Sequence, residues 1–158
     1  MRRRWEVRAI ACVTISLILS LNGTSAKADT VTITTQGIAW QSNGQSSTIQ
    51  GAPLTVAVKK GDTIQVHVGS GHGFVTINKP GNQHPAVDTS FVIACGEDST
   101  SKPNAVLQET NCTAGVPSNF GKGAGDMTFQ VLNQFNADLN FWCVIHKSIM
   151  WGVITLKP

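Results

Sequence analysis

Near the carboxyl end, Cys143-Val144-Ile145-His146-Lys147-Ser148-Ile149-Met150 places a thiol, an imidazole and a thioether in one short run. A soft sulfur beside a borderline nitrogen suits copper, whereas magnesium, calcium and manganese call for carboxylates that this run lacks. Copper bound by one thiolate in near-trigonal form needs two imidazoles, with a thioether as the weak axial contact. The second imidazole is available upstream, in Gly71-His72-Gly73-Phe74, after the strand-like stretch Gly61 to Val68. His72, Cys143, His146 and Met150 are therefore the candidate metal ligands. Each histidine would bind neutral through one ring nitrogen and be oriented through the other.

Plainer readings stand beside this one. A Cys-x-x-His pair taken alone is common and is often structural. Met150 could fill the core, and Trp142 and Trp151 are by default large core fillers or a cover over the sandwich. His67 lies on the polar face of its strand and His84 in the polar loop Asn82-Gln83-His84-Pro85, so both are surface residues by default. Glu97 and Glu109 are the glutamates left outside the amino-terminal segment, and nothing in their spacing aims them at a metal. No serine triad, carboxylate pair or phosphate-cradling glycine loop is present to support a hydrolase or kinase. On these grounds the chain is not expected to be an enzyme.

Residues 1–28 read as a secretory signal. Arg2, Arg3, Arg4 and Arg8 form a positive end, Ala9 to Leu21 is apolar, and Ala26-Lys27-Ala28 offers small residues for cleavage. The apolar run of 13 residues is short for a bilayer, so no permanent membrane span is expected. Export through the general route or, less readily given Trp5-Glu6 after the arginines, a twin-arginine route makes the product periplasmic or otherwise exported. The segment carries five of the 12 basic and one of the nine acidic residues. The chain from Asp29 is then close to neutral, at −1, and shows no basic footprint for nucleic acid. Its 130 residues fit one domain, 29–158.

Cys95, Cys112 and Cys143 remain after cleavage, an odd number for an oxidising compartment. Cys95 and Cys112 bracket 16 largely polar residues and are expected to pair, closing a loop worth about 3 kcal/mol in the chain-entropy model. Cys143 is then the free thiol, and metal ligation gives a reason to keep it.

The elements that must position these residues are short β-rich runs separated by turn clusters, without a long amphipathic helix, which predicts an all-β sandwich of seven or eight strands. Strands are expected at Val31–Thr35, Leu54–Val58, Thr63–Val68, Phe74–Asn78, Phe91–Ala94, Met127–Leu132, Leu139–Val144 and Trp151–Lys157. Leu54–Val58 and Thr63–Val68 are expected to pair across the Lys59-Lys60-Gly61-Asp62 turn. The stretch 79–125 reads as a long loop insertion tethered by the disulfide, with a short helix over Asn104 to Glu109 as one option. Strict alternation turns Leu139, Phe141 and Cys143 to one face, carrying the thiol toward the core and away from oxidants. His146 and Met150 are placed in the loop before the last strand.

Three motifs then resemble the cupredoxin family of small blue copper proteins, which includes plastocyanin, pseudoazurin, amicyanin and azurin. They are Lys60-Gly61-Asp62-Thr63-Ile64, Gly71-His72-Gly73-Phe74, and Phe141-Trp142-Cys143 through His146 and Met150 to Trp151-Gly152. The resemblance covers nearly the whole domain from Asp29. It implies a Greek-key sandwich, one copper ion cycling between Cu(I) and Cu(II) on His72, Cys143, His146 and Met150, and one-electron exchange with redox partner proteins, by a monomer. Two alternatives stay open: copper binding and delivery, and a copper enzyme with a modified, red-copper-like site. The gap of three residues between His146 and Met150 leaves the subgroup open.

Overall fold

The computed structural model describes residues 27–48, 50–88, 93–95, 104–112 and 120–158. Two β-sheets lie face to face. One runs in the order β3 (Gln45–Ser46), β2 (Trp40–Ser42), β1 (Thr30–Thr35), β5 (Thr63–Val68), β10 (Gly125–Val131), β8 (Leu107–Glu109), β7 (Ile93–Cys95). The other runs β4 (Leu54–Val58), β12 (Lys147–Leu156), β11 (Leu139–Cys143), β6 (Phe74–Ile77), β9 (Phe120–Lys122). Among the described residues the helical structure is a single 3-10 turn, Gly81–Gln83, and no helix is long and apolar enough to cross a membrane. The expected all-β Greek-key sandwich is the fold observed.

Alternation builds the core. In β4 Leu54, Val56 and Val58 are buried, and in β5 Ile64, Val66 and Val68 are buried while His67 faces out, because successive strand side chains point to opposite faces. The inner faces meet around Trp40, Phe74, Phe129, Phe135 and Phe141, all fully buried. His67 pairs through Nδ1 with the Asp126 carboxylate at 2.8 Å across β5 and β10, both exposed, as a solvated strand residue should.

The expected hairpin of Leu54–Val58 with Thr63–Val68 does not form. The connection 59–62 crosses from one sheet to the other, and β4 instead pairs in parallel with β12, and β5 in parallel with β1. Asp62 explains the crossing. Fully buried, its carboxylate accepts from the amides of Lys59 at 2.7 Å and Asp29 at 2.9 Å, while the backbones of Gly61 and Asp62 bond to Val131. The turn is thus fastened to β1 and β10 rather than folded back on β4.

The stretch 79–125 is also more than a loop. It supplies β7 and β8 to one sheet and β9 to the other, with Cys95 and Cys112 joined as expected, Cα atoms 5.8 Å apart. The helix considered over Asn104–Glu109 is strand β8 at its end, since Leu107 and Glu109 turn inward and pair with β10. Gly81 sits against the ring of Trp151 in β12, and Val87 bridges to Ile77 of β6. All four residues of β6 are buried. The expected signal segment up to residue 26, the first two residues of the expected strand Phe91–Ala94, and Glu97 lie outside the described residues.

Candidate metal centre

β6 and β11 run antiparallel in the register Trp142 with Val75 and Cys143 with Phe74. One step further, the Val144 amide donates to the Gly73 carbonyl at 3.0 Å, so the two loops that carry the candidate ligands are tied at their bases. His72 stands next to that tie, and its amide donates to Gly69 O at 3.3 Å. Two residues in sequence thus convert a separation of 71 positions into contact. Cys143 Sγ lies 3.7 Å from His72 Nδ1 and 3.3 Å from His146 Nδ1.

The other side of the site is made by a break in register. β11 and β12 pair Trp142 with Trp151 but Cys143 with Lys147, so Ser148, Ile149 and Met150 have no counterpart and bulge. A bulge of this kind re-aims side chains at the end of a sheet. Lys147 takes a φ of +43°, in the left-handed region, and the Ile149 amide donates to His146 O at 3.2 Å. His146 is therefore on a tight turn. Met150 is not in the loop before the last strand, as the sequence suggested, but in β12 itself, whose first residue is Lys147 rather than Trp151.

The donors are a buried thiol and two half-buried imidazoles, with ligand atoms all within 4.8 Å of one another. The imidazole rings are 4.9 Å apart and tilted by 43°. A first-row divalent ion holding imidazole at about 2.0–2.1 Å and thiolate at about 2.3 Å needs N to S edges of about 3.5–3.8 Å. The observed 3.3 and 3.7 Å are on that scale, so the donor set fits such an ion without movement of the backbone. Burial and, after it, the charge of His146 push the His72 pKa below its ordinary 6.5, which keeps that imidazole in the neutral form a metal requires. Cys143 is the free cysteine among the described residues and is fully buried. Met150 is fully buried in the same core cluster as Cys143.

His84 and Glu109 are not part of this cluster. His84 is exposed in a left-handed conformation after the 3-10 turn, and Glu109 is buried in β8 of the opposite sheet. Trp142 is half-buried on the face opposite Cys143, as alternation required, and Trp151 is covered by Gly81 while donating from Nε1 to Gly51 O at 2.7 Å. Sequence reasoning missed Trp40. Its indole donates to the Met150 carbonyl at 3.1 Å, across 110 positions, and no local pattern points to that contact.

No protein-family model matches this chain, and no curated protein does. Among solved structures it is similar to amicyanin from Paracoccus versutus, at 11% identity over 84% of this chain and 86% of that one, TM-score 0.38. It is also similar to dithionite-reduced auracyanin from Roseiflexus castenholzii, at 16% identity over 84% of this chain and 99% of that one, TM-score 0.40. A multi-copper oxidase from Pediococcus acidilactici matches over 96% of this chain but 31% of its own, at 10% identity and TM-score 0.41. At such identities no side-chain role passes from one protein to another. The donor cluster stands on its own distances.

Proposed function

We propose that the protein is an exported, mononuclear blue copper protein of cupredoxin type that carries single electrons between redox partners. The observation that carries this reading is the convergence of a buried cysteine sulfur with two imidazole nitrogens at 3.3 and 3.7 Å. Cys143, His72 and His146 would hold the ion, with Met150 as the weak fourth donor; bound there, copper supplies a Cu(I)/Cu(II) couple. The residues do the rest. Ligand loops tied at Val144 and Gly73 and set on a packed sandwich move little, so the site accommodates both oxidation states without rearrangement. Burial of Cys143 shields the sulfur from solvent oxidants.

Electrons would enter and leave beside His146. Val144, Ile145 and Ile149 are exposed around it, Ile145 at 60%, and an apolar rim of this kind suits transient contact with a partner protein. Adding cupric ion to the apoprotein is expected to give an intense blue species that Cys143→Ser abolishes. A colourless complex, or one stripped readily by a chelator, would favour copper delivery instead. Turnover of small oxidants would favour an enzyme.

A further inference from the structure

We infer that Trp40 is the positioning residue for the fourth donor, fixing where the Met150 thioether sits relative to the other three ligands and thereby setting the reduction potential. The inference rests on the copper reading above. Trp40 is fully buried on β2, in the sheet opposite the ligands. Its backbone is locked by Ser47: the Trp40 amide donates to Ser47 Oγ at 2.9 Å and the Ser47 amide returns a bond to Trp40 O at 2.9 Å.

From that anchor one side chain reaches every strand that bears or adjoins a candidate ligand. Its ring meets Phe74 edge-on at 5.9 Å, two residues after His72, and Phe141 at 5.6 Å, two residues before Cys143. Its indole N–H donates to the Met150 carbonyl at 3.1 Å, with both residues fully buried. Met150 is the last of three residues at which β12 leaves the ladder, between the pairs Cys143 with Lys147 and Trp142 with Trp151. A bulged residue lacks the cross-strand bonds that would otherwise fix it, so the indole bond holds its backbone in their place. A buried carbonyl deprived of its donor is costly, and the chain around residue 150 would shift to find another. An axial donor favours the more positive oxidised ion, so a thioether that drifts outward raises the potential.

The test is made on the copper-loaded protein with Trp40→Phe, and with benzothienylalanine at position 40, which keeps the ring size and replaces N–H by sulfur. Both are expected to stay blue and to raise the ratio of reduced to oxidised protein at a fixed potential severalfold, because the displaced thioether stabilises the oxidised ion less. In a Met150→Leu background, which itself keeps the metal and raises the potential, the same replacements are expected to add nothing, because no thioether remains to be placed. An unchanged or lowered potential with the isostere, or an equal rise in the Met150→Leu background, overturns the inference. If the wild type gives no Cys143-dependent blue species, it is the copper reading that fails. The apoprotein then decides the positioning role alone: the isostere is expected to move the backbone amide resonances of 149–151, and unchanged resonances there overturn it.

Discussion

Burial and the neighbouring charge of His146 both disfavour a proton on His72, and this makes the site's assembly pH-dependent even before a metal arrives. Because its folded pKa lies below the ordinary 6.5, the unfolded chain takes up that proton first as pH falls. The contribution to apoprotein stability is therefore complete above about pH 6.5 and is lost as pH falls through the folded value. Urea midpoints of the apoprotein are expected to drop between pH 7.5 and pH 5, and to drop less in His72→Gln, whose side chain does not titrate. Equal drops in the two would show that the dependence arises elsewhere. Residue identity was legible here: the types and spacing of Cys143 and His146, and the glycines around His72, marked in sequence the three residues whose donor atoms the fold brings together.

At the scale of elements, the site depends on two devices that join sheets rather than on any single strand. The first is Asp62, whose buried carboxylate satisfies two backbone amides and holds the crossing 59–62 in place. Asp62→Ala leaves both donors without that acceptor and is expected to destabilise the fold by about 2–4 kcal/mol, at about 1–3 kcal/mol for each unsatisfied donor with partial rescue by water. Chemical denaturation measures this, and a loss below about 0.5 kcal/mol would contradict the role. The second is the disulfide between Cys95 and Cys112, which closes a separation of 17 residues. The Cys95→Ser, Cys112→Ser pair is expected to lose about 3 kcal/mol while copper binding persists, since neither sulfur belongs to the donor cluster. Strand existence was readable from period-two alternation, as in β4, β5, β10 and β11. Strand partners were not. The expected hairpin across Lys59 to Asp62 followed from turn composition, and the turn chemistry was overruled by the buried carboxylate and by the parallel partners that the other sheet supplied.

For the molecule as a whole, Cys143 of the donor cluster is also part of the hydrophobic core, so an ion held there is expected to stabilise the sandwich. An ion that binds only the folded chain adds RT ln(1 + [L]/Kd), about 2.7 kcal/mol at a hundredfold excess over Kd. Copper is therefore expected to raise Tm by several degrees, and a chelator to return it to the apoprotein value. In Cys143→Ser this dependence should largely vanish. A Tm that ignored copper in the wild type would show that the cluster does not hold the ion in the folded state. The region 79–125, which reads in sequence as a loop insertion, is built into the sandwich: it gives strands to both sheets and lays Gly81 on Trp151 of β12. The expected strand Phe91–Ala94 overlaps β7, but the turn-rich composition hid β8 and β9, strands of three residues too short for alternation to register.

By itself the sequence determined the chemistry on offer and the side of each strand that would be buried, because ligand type is a property of single residues and alternation is a property of neighbours along the chain. It determined that Cys143 would point inward and that Cys95 and Cys112 could pair. Only the tertiary structure decided which strands adjoin, that Met150 lies in a bulge of β12, and that Trp40, 110 positions away in sequence, donates to the Met150 carbonyl. Those outcomes depend on which distant surfaces bury one another most completely and leave no polar group unpaired. No local window of the chain contains that comparison.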